Sequence, residues 1–171
     1  MSHYFKIGKF VAAHGIGGDL ILQHSLGKKT SLKGLECVYI EEQKDNFIPY
    51  FIEKTKIRSA DETLIKIEKS DTRESVKRFA SKEVWIEEAD FKKFAESSAP
   101  IALLGYLIYD NELELGKVVE VIEQPHQVLC VIDYKGKEAY IPVHEESLLK
   151  IDKKSKKIYL DLPEGLLDIY S

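Results

Sequence analysis

Apolar residues in the first half of this chain recur at every second position, in short runs cut by glycines and polar tetrads. That period predicts half-buried β-strands. Strands are predicted over residues 5–13 and 19–23, flanking a turn at Gly15 and Gly17-Gly18, and over 35–41 and 47–54, separated by the polar Gln43-Lys44-Asp45-Asn46. A further short strand is predicted over 64–68. The period then changes. Val76, Phe79 and Ala80 fall at helical spacing, and Asp71 followed three residues later by Glu74 reads as a capping box. A short helix over 72–80 is therefore expected to close the first barrel, before Val84-Trp85-Ile86 returns to strand.

Residues 91–100 read as a linker, with one helical turn at Phe91-Lys92-Lys93-Phe94 and a break at Ser97-Ser98-Ala99-Pro100. Beyond it the alternation resumes over 105–109, 116–123, 127–134 and 137–143, with tight turns at Asp110-Asn111 and Lys135-Gly136. Ile158, Leu160 and Leu162 share one face of a last strand, with Tyr159 and Asp161 on the other. Many short strands in each half imply a mainly all-β protein of two small β-barrels with one or two short helices. The expected domains are 1–90 and 101–171.

Size and composition narrow the function. At 171 residues, 44% hydrophobic, the chain holds enough apolar side chain for two modest cores. A net charge of −4 argues against a strongly basic, nonspecific nucleic-acid binder. It leaves room for a local patch. Cys37 and Cys130 lie in apolar runs and read as small core residues rather than a disulfide or a metal pair. No long apolar stretch reads as a signal peptide or a membrane span, so a cytoplasmic protein with no membrane partner is expected.

The glycine-punctuated stretches carry more. Gly8, His14, Gly15, Ile16, Gly18 and Asp19 stand in the order glycine, histidine-glycine-aliphatic, glycine-acidic. Later come Asp71-Thr72-Arg73-Glu74, Leu104-Gly105, Asp110, Leu115-Gly116-Lys117-Val118, Val128-Leu129, Ile141-Pro142, Asp152 and the closing Leu162-Pro163-Glu164-Gly165-Leu166-Leu167-Asp168. In this order, over nearly the whole chain, they resemble the RimM family of bacterial ribosome maturation factors, an N-terminal β-barrel followed by a PRC-type barrel. The chain departs from the family at two places. Gly17 stands where a Lys or Arg is usual, and Ser98-Ala99-Pro100 stands where paired aromatics are common. One residue is also inserted between acid and Arg in the acidic-Arg-acidic opening of the predicted helix.

The resemblance implies a non-catalytic, chaperone-like factor that binds the free small ribosomal subunit and acts late in maturation of its head. It also implies engagement of small-subunit ribosomal protein nineteen, mainly through the second barrel, and promotion of 16S rRNA folding and processing. No cofactor and no metal are expected, and the protein is expected to be a monomer. The first 33 residues hold five lysines against one acid, Asp19, which makes Lys9, His14, Lys28 and Lys29 the candidate RNA contacts. A second lysine cluster, Lys150, Lys153, Lys154, Lys156 and Lys157, reads first as a solvated hairpin turn. Tyr106, Tyr140, Tyr170 and Asp168 are the candidate protein contacts, and Gly15, Gly18, Gly105, Gly116 and Gly165 the candidate turn glycines. Phe5, Phe10, Tyr39, Phe51, Phe79 and Trp85 read as core.

Two other function classes stand beside this reading. A PRC-type barrel could serve as a protein-interaction adaptor unconnected with ribosomes. A small hydrolase using His14 would need a convergent polar pocket, yet the five histidines are dispersed and no nucleophile elbow or phosphate loop is present.

Overall fold

The alternating run at the N-terminus folds as β1 (Tyr4–His14) in a computed structural model that describes residues 3–170. It is followed by β2 (Asp19–His24), β3 (Cys37–Gln43), β4 (Asn46–Ile57), β5 (Glu62–Ile67) and β6 (Glu83–Glu87). These strands form a closed barrel in the order β1-β2-β5-β4-β3-β6, with β1 pairing to both β2 and β6. Closure leaves no free strand edge. Inward positions alternate as the sequence pattern requires: Leu20, Leu22, Val38, Ile65, Val84 and Ile86 are fully buried. Phe10 and Phe79 meet edge to face inside, 6.1 Å between ring centres.

The expected helix over 72–80 is instead a 3-10 helix, Glu74–Phe79, with Val76 and Phe79 buried. Three residues per turn place these two apolar side chains on one side, which a segment this short achieves without an α-helix. The capping box does not form. Asp71 is drawn to Lys66, while Thr72 and Ser75 bond each other: the Ser75 N–H donates to Thr72 Oγ1 at 3.1 Å and the Thr72 N–H to Ser75 Oγ at 3.1 Å. Residues 91–99, read above as linker, fold back on the first unit. Helix α1 (Glu88–Phe94) buries Phe91 edge-on against Phe5 at 5.0 Å, and the Glu96 N–H donates to the Leu26 carbonyl at 2.8 Å. Apolar contact by one ring outweighs the polar composition around it. The chain divides into two compact units between Ala99 and Pro100.

Three aromatics assigned to the core lie elsewhere. Phe51 is 52% exposed on β4, and Tyr39 and Trp85 point outward from the barrel. Tyr39 and Trp85 form an outer aromatic cluster with Tyr4 and Phe47, Tyr4 to Tyr39 at 4.6 Å, Tyr4 to Phe47 at 4.4 Å and Phe47 to Trp85 at 5.0 Å. Alternation alone distinguishes two faces of a strand; it does not say that both will be apolar.

His24, at the end of β2, is a buried polar residue of this core. Its Nδ1 accepts the Leu26 N–H at 3.3 Å, and its Nε2 is buried with no partner among the described residues. Burial holds its pKa below the ordinary histidine value, with Asp61 opposing in part. The folded state therefore favours the neutral ring. The stability this group contributes is complete above the unfolded-state value near 6.5 and is lost as pH falls toward the lower folded value. The unfolding midpoint of the first unit is expected to drop between pH 7.5 and 5.5, and His24→Gln to flatten that drop. An unchanged pH profile in the variant would remove His24 as its source.

The second unit opens with a 3-10 turn, Pro100–Leu103, and then β7 (Leu107–Asp110), β8 (Leu113–Gln124), β9 (Gln127–Tyr134), β10 (Lys137–Val143), β11 (Leu148–Asp152) and β12 (Lys157–Leu160). They make one six-stranded sheet in the order β10-β9-β8-β7-β12-β11. All pairs are antiparallel except β12 with β7, which run parallel. Inward residues of the end strand β10, Ala139 and Ile141, and of the next-to-last strand β12, Ile158 and Leu160, are buried, as in a sheet curled over its own core. The stretch 105–106 lies outside the strand, and β11 falls on Leu148-Leu149-Lys150-Ile151-Asp152, a run too short to show alternation. Cys130 sits in this core, where burial pushes its thiol up to about 12. Cys37 is half-buried on β3 and both cysteines are free.

Candidate functional site

Strand register assembles a basic face on the outside of the first barrel. His14 stands opposite Asp19, Asp19 opposite Lys66, and Lys66 opposite Lys54, so one outward row crosses β1, β2, β5 and β4. Directly opposed residues in antiparallel strands share a face. The next outward row is Ala12, Ile21, Leu64 and Lys56, and beyond it lie Lys9, Gln23 and Glu62. A bulge in β1 between Phe10 and Ala12 keeps Lys9 and His14, five residues apart and so roughly 16 Å along the strand, on the same side. His14, Asp19, Lys54, Thr55, Lys56 and Leu64 line a shallow depression of about 430 Å³.

The charges are not equal. Lys66 is clamped by Glu53 at 2.8 Å and by Asp71, and the bonds to Asp71 and then Glu53 hold its pKa above the ordinary lysine value. Glu62 is paired with Arg58 at 2.7 Å. Among the described residues Lys9, Lys54 and Lys56 form no ion pair, so they carry the free positive charge of this face. Sequence reading singles out Lys9 and His14 as candidates and not Lys54 and Lys56, which the strand register places on the same face. The signal lay in the β4–β5 register, which a one-dimensional charge count does not see.

Lys28 and Lys29 are exposed but lie elsewhere. Gly8 faces His24 and the Ser25 N–H bonds the Ile7 carbonyl, so the chain leaves β2 at the end of the hairpin opposite His14. The His14 end is a tight loop. Arg73 reaches across to the Gly15 carbonyl at 3.2 Å, its own N–H donates to the Ile16 carbonyl at 3.2 Å, and Ile16 projects 88% exposed at the tip. Gly15, Gly18, Gly105 and Gly165 take positive φ, whereas Gly116 lies inside β8 and is not a turn residue. A Cβ on Gly116 would stand 3.0 Å from the Asp133 carbonyl, so close packing of strands explains it.

In the second unit two of the three candidate tyrosines come together. Tyr140, on β10, is 40% exposed and donates to Glu138 at 3.3 Å. The Glu138 carboxylate beside it pushes its phenol up, with smaller contributions from Glu120 and Tyr170. Tyr170 belongs to a 3-10 turn, Leu167–Tyr170, that packs on β10 and includes the exposed Asp168. Tyr106 is not part of this group. It is half-buried near Asp152, where burial and then that carboxylate raise its pKa.

Comparison with known proteins accounts for both units. Residues 5–91 match the RimM N-terminal domain, and residues 100–166 match the RimM PRC barrel domain. This chain belongs to the RimM family. A protein named ribosome maturation factor RimM from Phocaeicola vulgatus is 33% identical over 172 residues, covering 95% of this chain and 96% of that protein. Its namesake from Bacteroides fragilis is 36% identical, covering 96% of this chain and 92% of that protein. The solution structure of the N-terminal domain of RimM from Thermus thermophilus aligns with a TM-score of 0.41 at 23% identity, over 52% of this chain and 93% of that one. Within this RimM chain, Gly17 is exposed at the tip of the His14 loop. Ala99, where family aromatics are common, instead lies beside Gly27 in the first unit. Among the described residues no helix is long and apolar enough to cross a membrane.

Proposed function

We propose that this chain is a cytoplasmic, non-catalytic binding factor for the maturing small ribosomal subunit. It would act late, on the head, favour correct folding and processing of 16S rRNA, and leave the finished particle. The observation that carries this reading is the presence of both RimM domains in family order in one chain, residues 5–91 and 100–166. The outer face bearing Lys9, His14, Lys54 and Lys56 suits sequence-independent contact with phosphates. The tyrosine group at Tyr140 and Tyr170, edged by Glu138 and Asp168, suits a basic ribosomal protein, with protein nineteen of the small subunit the proposed partner. Lys28 and Lys29 stay as a separate candidate RNA contact, and Tyr106 as a separate protein contact.

Such a factor changes the outcome of assembly only by binding one intermediate more tightly than its alternatives. The monomer is therefore expected to co-sediment with free small subunits and not with large subunits or intact ribosomes. Absence from every ribosomal fraction at low as well as moderate salt would sink the proposal and favour an adaptor role. His14→Ala is expected to weaken docking modestly. Loss of a turnover activity in that variant would reinstate the hydrolase reading.

A further inference from the structure

The second unit carries a face that the proposed docking does not use. Tyr109 on β7 and Tyr159 on β12 stand opposite each other in the parallel pair, and their rings stack with centroids 5.2 Å apart at 26°. Lys157 places its ammonium 5.4 Å from the Tyr109 ring centre. Lys150 on β11 lies opposite Tyr159, and on β8 Lys117 lies opposite Leu107 and the exposed Glu114 opposite Tyr109. The buried Ile108, Ile158 and Leu160 between them point the other way, so the tyrosines and lysines share the outer face of β11, β12 and β7. Both rings are half-exposed.

The β11–β12 turn adds charge. Residues 150–157 hold five lysines and a single acid, Asp152. That carboxylate is committed to the turn: its Oδ1 accepts the N–H of Lys154 at 3.0 Å and of Ser155 at 3.2 Å. Among the described residues Lys153 and Lys154 form no ion pair. A hairpin whose lysines merely keep it soluble needs no stacked aromatics beside them. Flat rings interleaved with cations are what bases and phosphates of an unpaired strand require, and a duplex, with its base faces hidden, cannot use the rings. An acidic peptide would use the lysines alone.

We propose that this face binds single-stranded RNA, with a base stacked on the Tyr109–Tyr159 pair and phosphates held by Lys150, Lys153, Lys154 and Lys157. The site is distinct from the basic face of the first barrel, and it does not rest on docking to a subunit.

The test is anisotropy titration of the full chain against a labelled single-stranded RNA of about 12 nucleotides, over a range of salt. A parallel titration uses the same strand with 2-aminopurine, whose fluorescence falls on stacking. Wild type is expected to bind at low salt and quench the probe. Reversing Lys150, Lys153 and Lys154 to glutamate together should weaken binding more than tenfold and lower the salt slope by about 2. Tyr159→Leu should cost about tenfold and abolish the quench, while Tyr159→Phe should keep both. A melting curve confirms folding of each variant, and Tyr159→Phe covers the case in which the leucine variant fails to fold. Unchanged affinity in the lysine variant would overturn the proposal, as would an unquenched probe in wild type. So would equal competition by an RNA duplex or by polyglutamate, which would mark a plain anion site. If naked RNA fails to bind while the chain still sediments with small subunits, this inference falls and the proposed function stands.

Discussion

Gly18→Ala is expected to destabilise the first unit by about 4 kcal/mol, enough to unfold much of a marginally stable domain. Gly18 takes a φ of +88°, a left-handed conformation that L side chains rarely adopt, and a Cβ there would run into the Ser70 carbonyl oxygen. The blocking atom is backbone. It belongs to the segment that leads to Thr72 and Arg73, which tethers the His14 loop, so relief would separate the loop from its anchor. Gly15 is the control: its φ is +70°, but nothing lies within 4 Å of the Cβ position. Gly15→Ala should therefore cost only about 1 kcal/mol. The chain's one tryptophan, Trp85, lies on β6 of the first barrel, so its fluorescence in a urea titration reports on that unit. Equal losses in the two variants would contradict the packing argument.

Reversing Lys9, Lys54 and Lys56 to glutamate is expected to weaken association with free small subunits by on the order of a hundredfold at low salt. The slope of log K against log salt should fall by about one for each lysine that meets a phosphate. These three side chains are exposed, so the melting temperature should hardly move. Lys66 belongs outside the set, because Glu53 and Asp71 already neutralise it. The comparison variant reverses Lys28 and Lys29, which sit at the other end of the β1–β2 hairpin. Loss of binding there, with the barrel-face variant unaffected, would move the RNA contact away from His14. Unchanged binding and salt slope in both would remove the first unit from RNA contact altogether.

Much of the fold was legible because strands announce themselves by alternation. The turns at Gln43-Lys44-Asp45-Asn46 and Lys135-Gly136 and the strands β9 and β10 come directly from that pattern. What failed did so for identifiable reasons. Phe91 sits among lysines and a carboxylate, and only its pocket beside Phe5 turns a polar stretch into part of a unit. The capping box at Asp71 lost to Lys66, a partner five residues back that becomes a neighbour only once β5 is formed. Tyr39 and Trp85 obey the alternation, yet the outer face they occupy is aromatic as well. The basic face was half visible: Lys9 and His14 stand in a local run of lysines and histidines, but Lys54 and Lys56 join them through pairings far apart in sequence.

The parallel pairing of β7 with β12 has a consequence for synthesis. Residues 107–110 find their partner in residues 157–160, about fifty positions later, and no local hairpin can substitute. Contacts of that separation slow folding, and a strand that waits for its partner is open to the wrong one. On a translating ribosome the first barrel can close as soon as β6 has emerged, while β7 must stay unpaired on its β12 side until nearly the whole chain is made. A chain stopped near residue 150 would thus carry a finished first barrel and an open sheet edge, the kind of species that proteases and aggregation remove first.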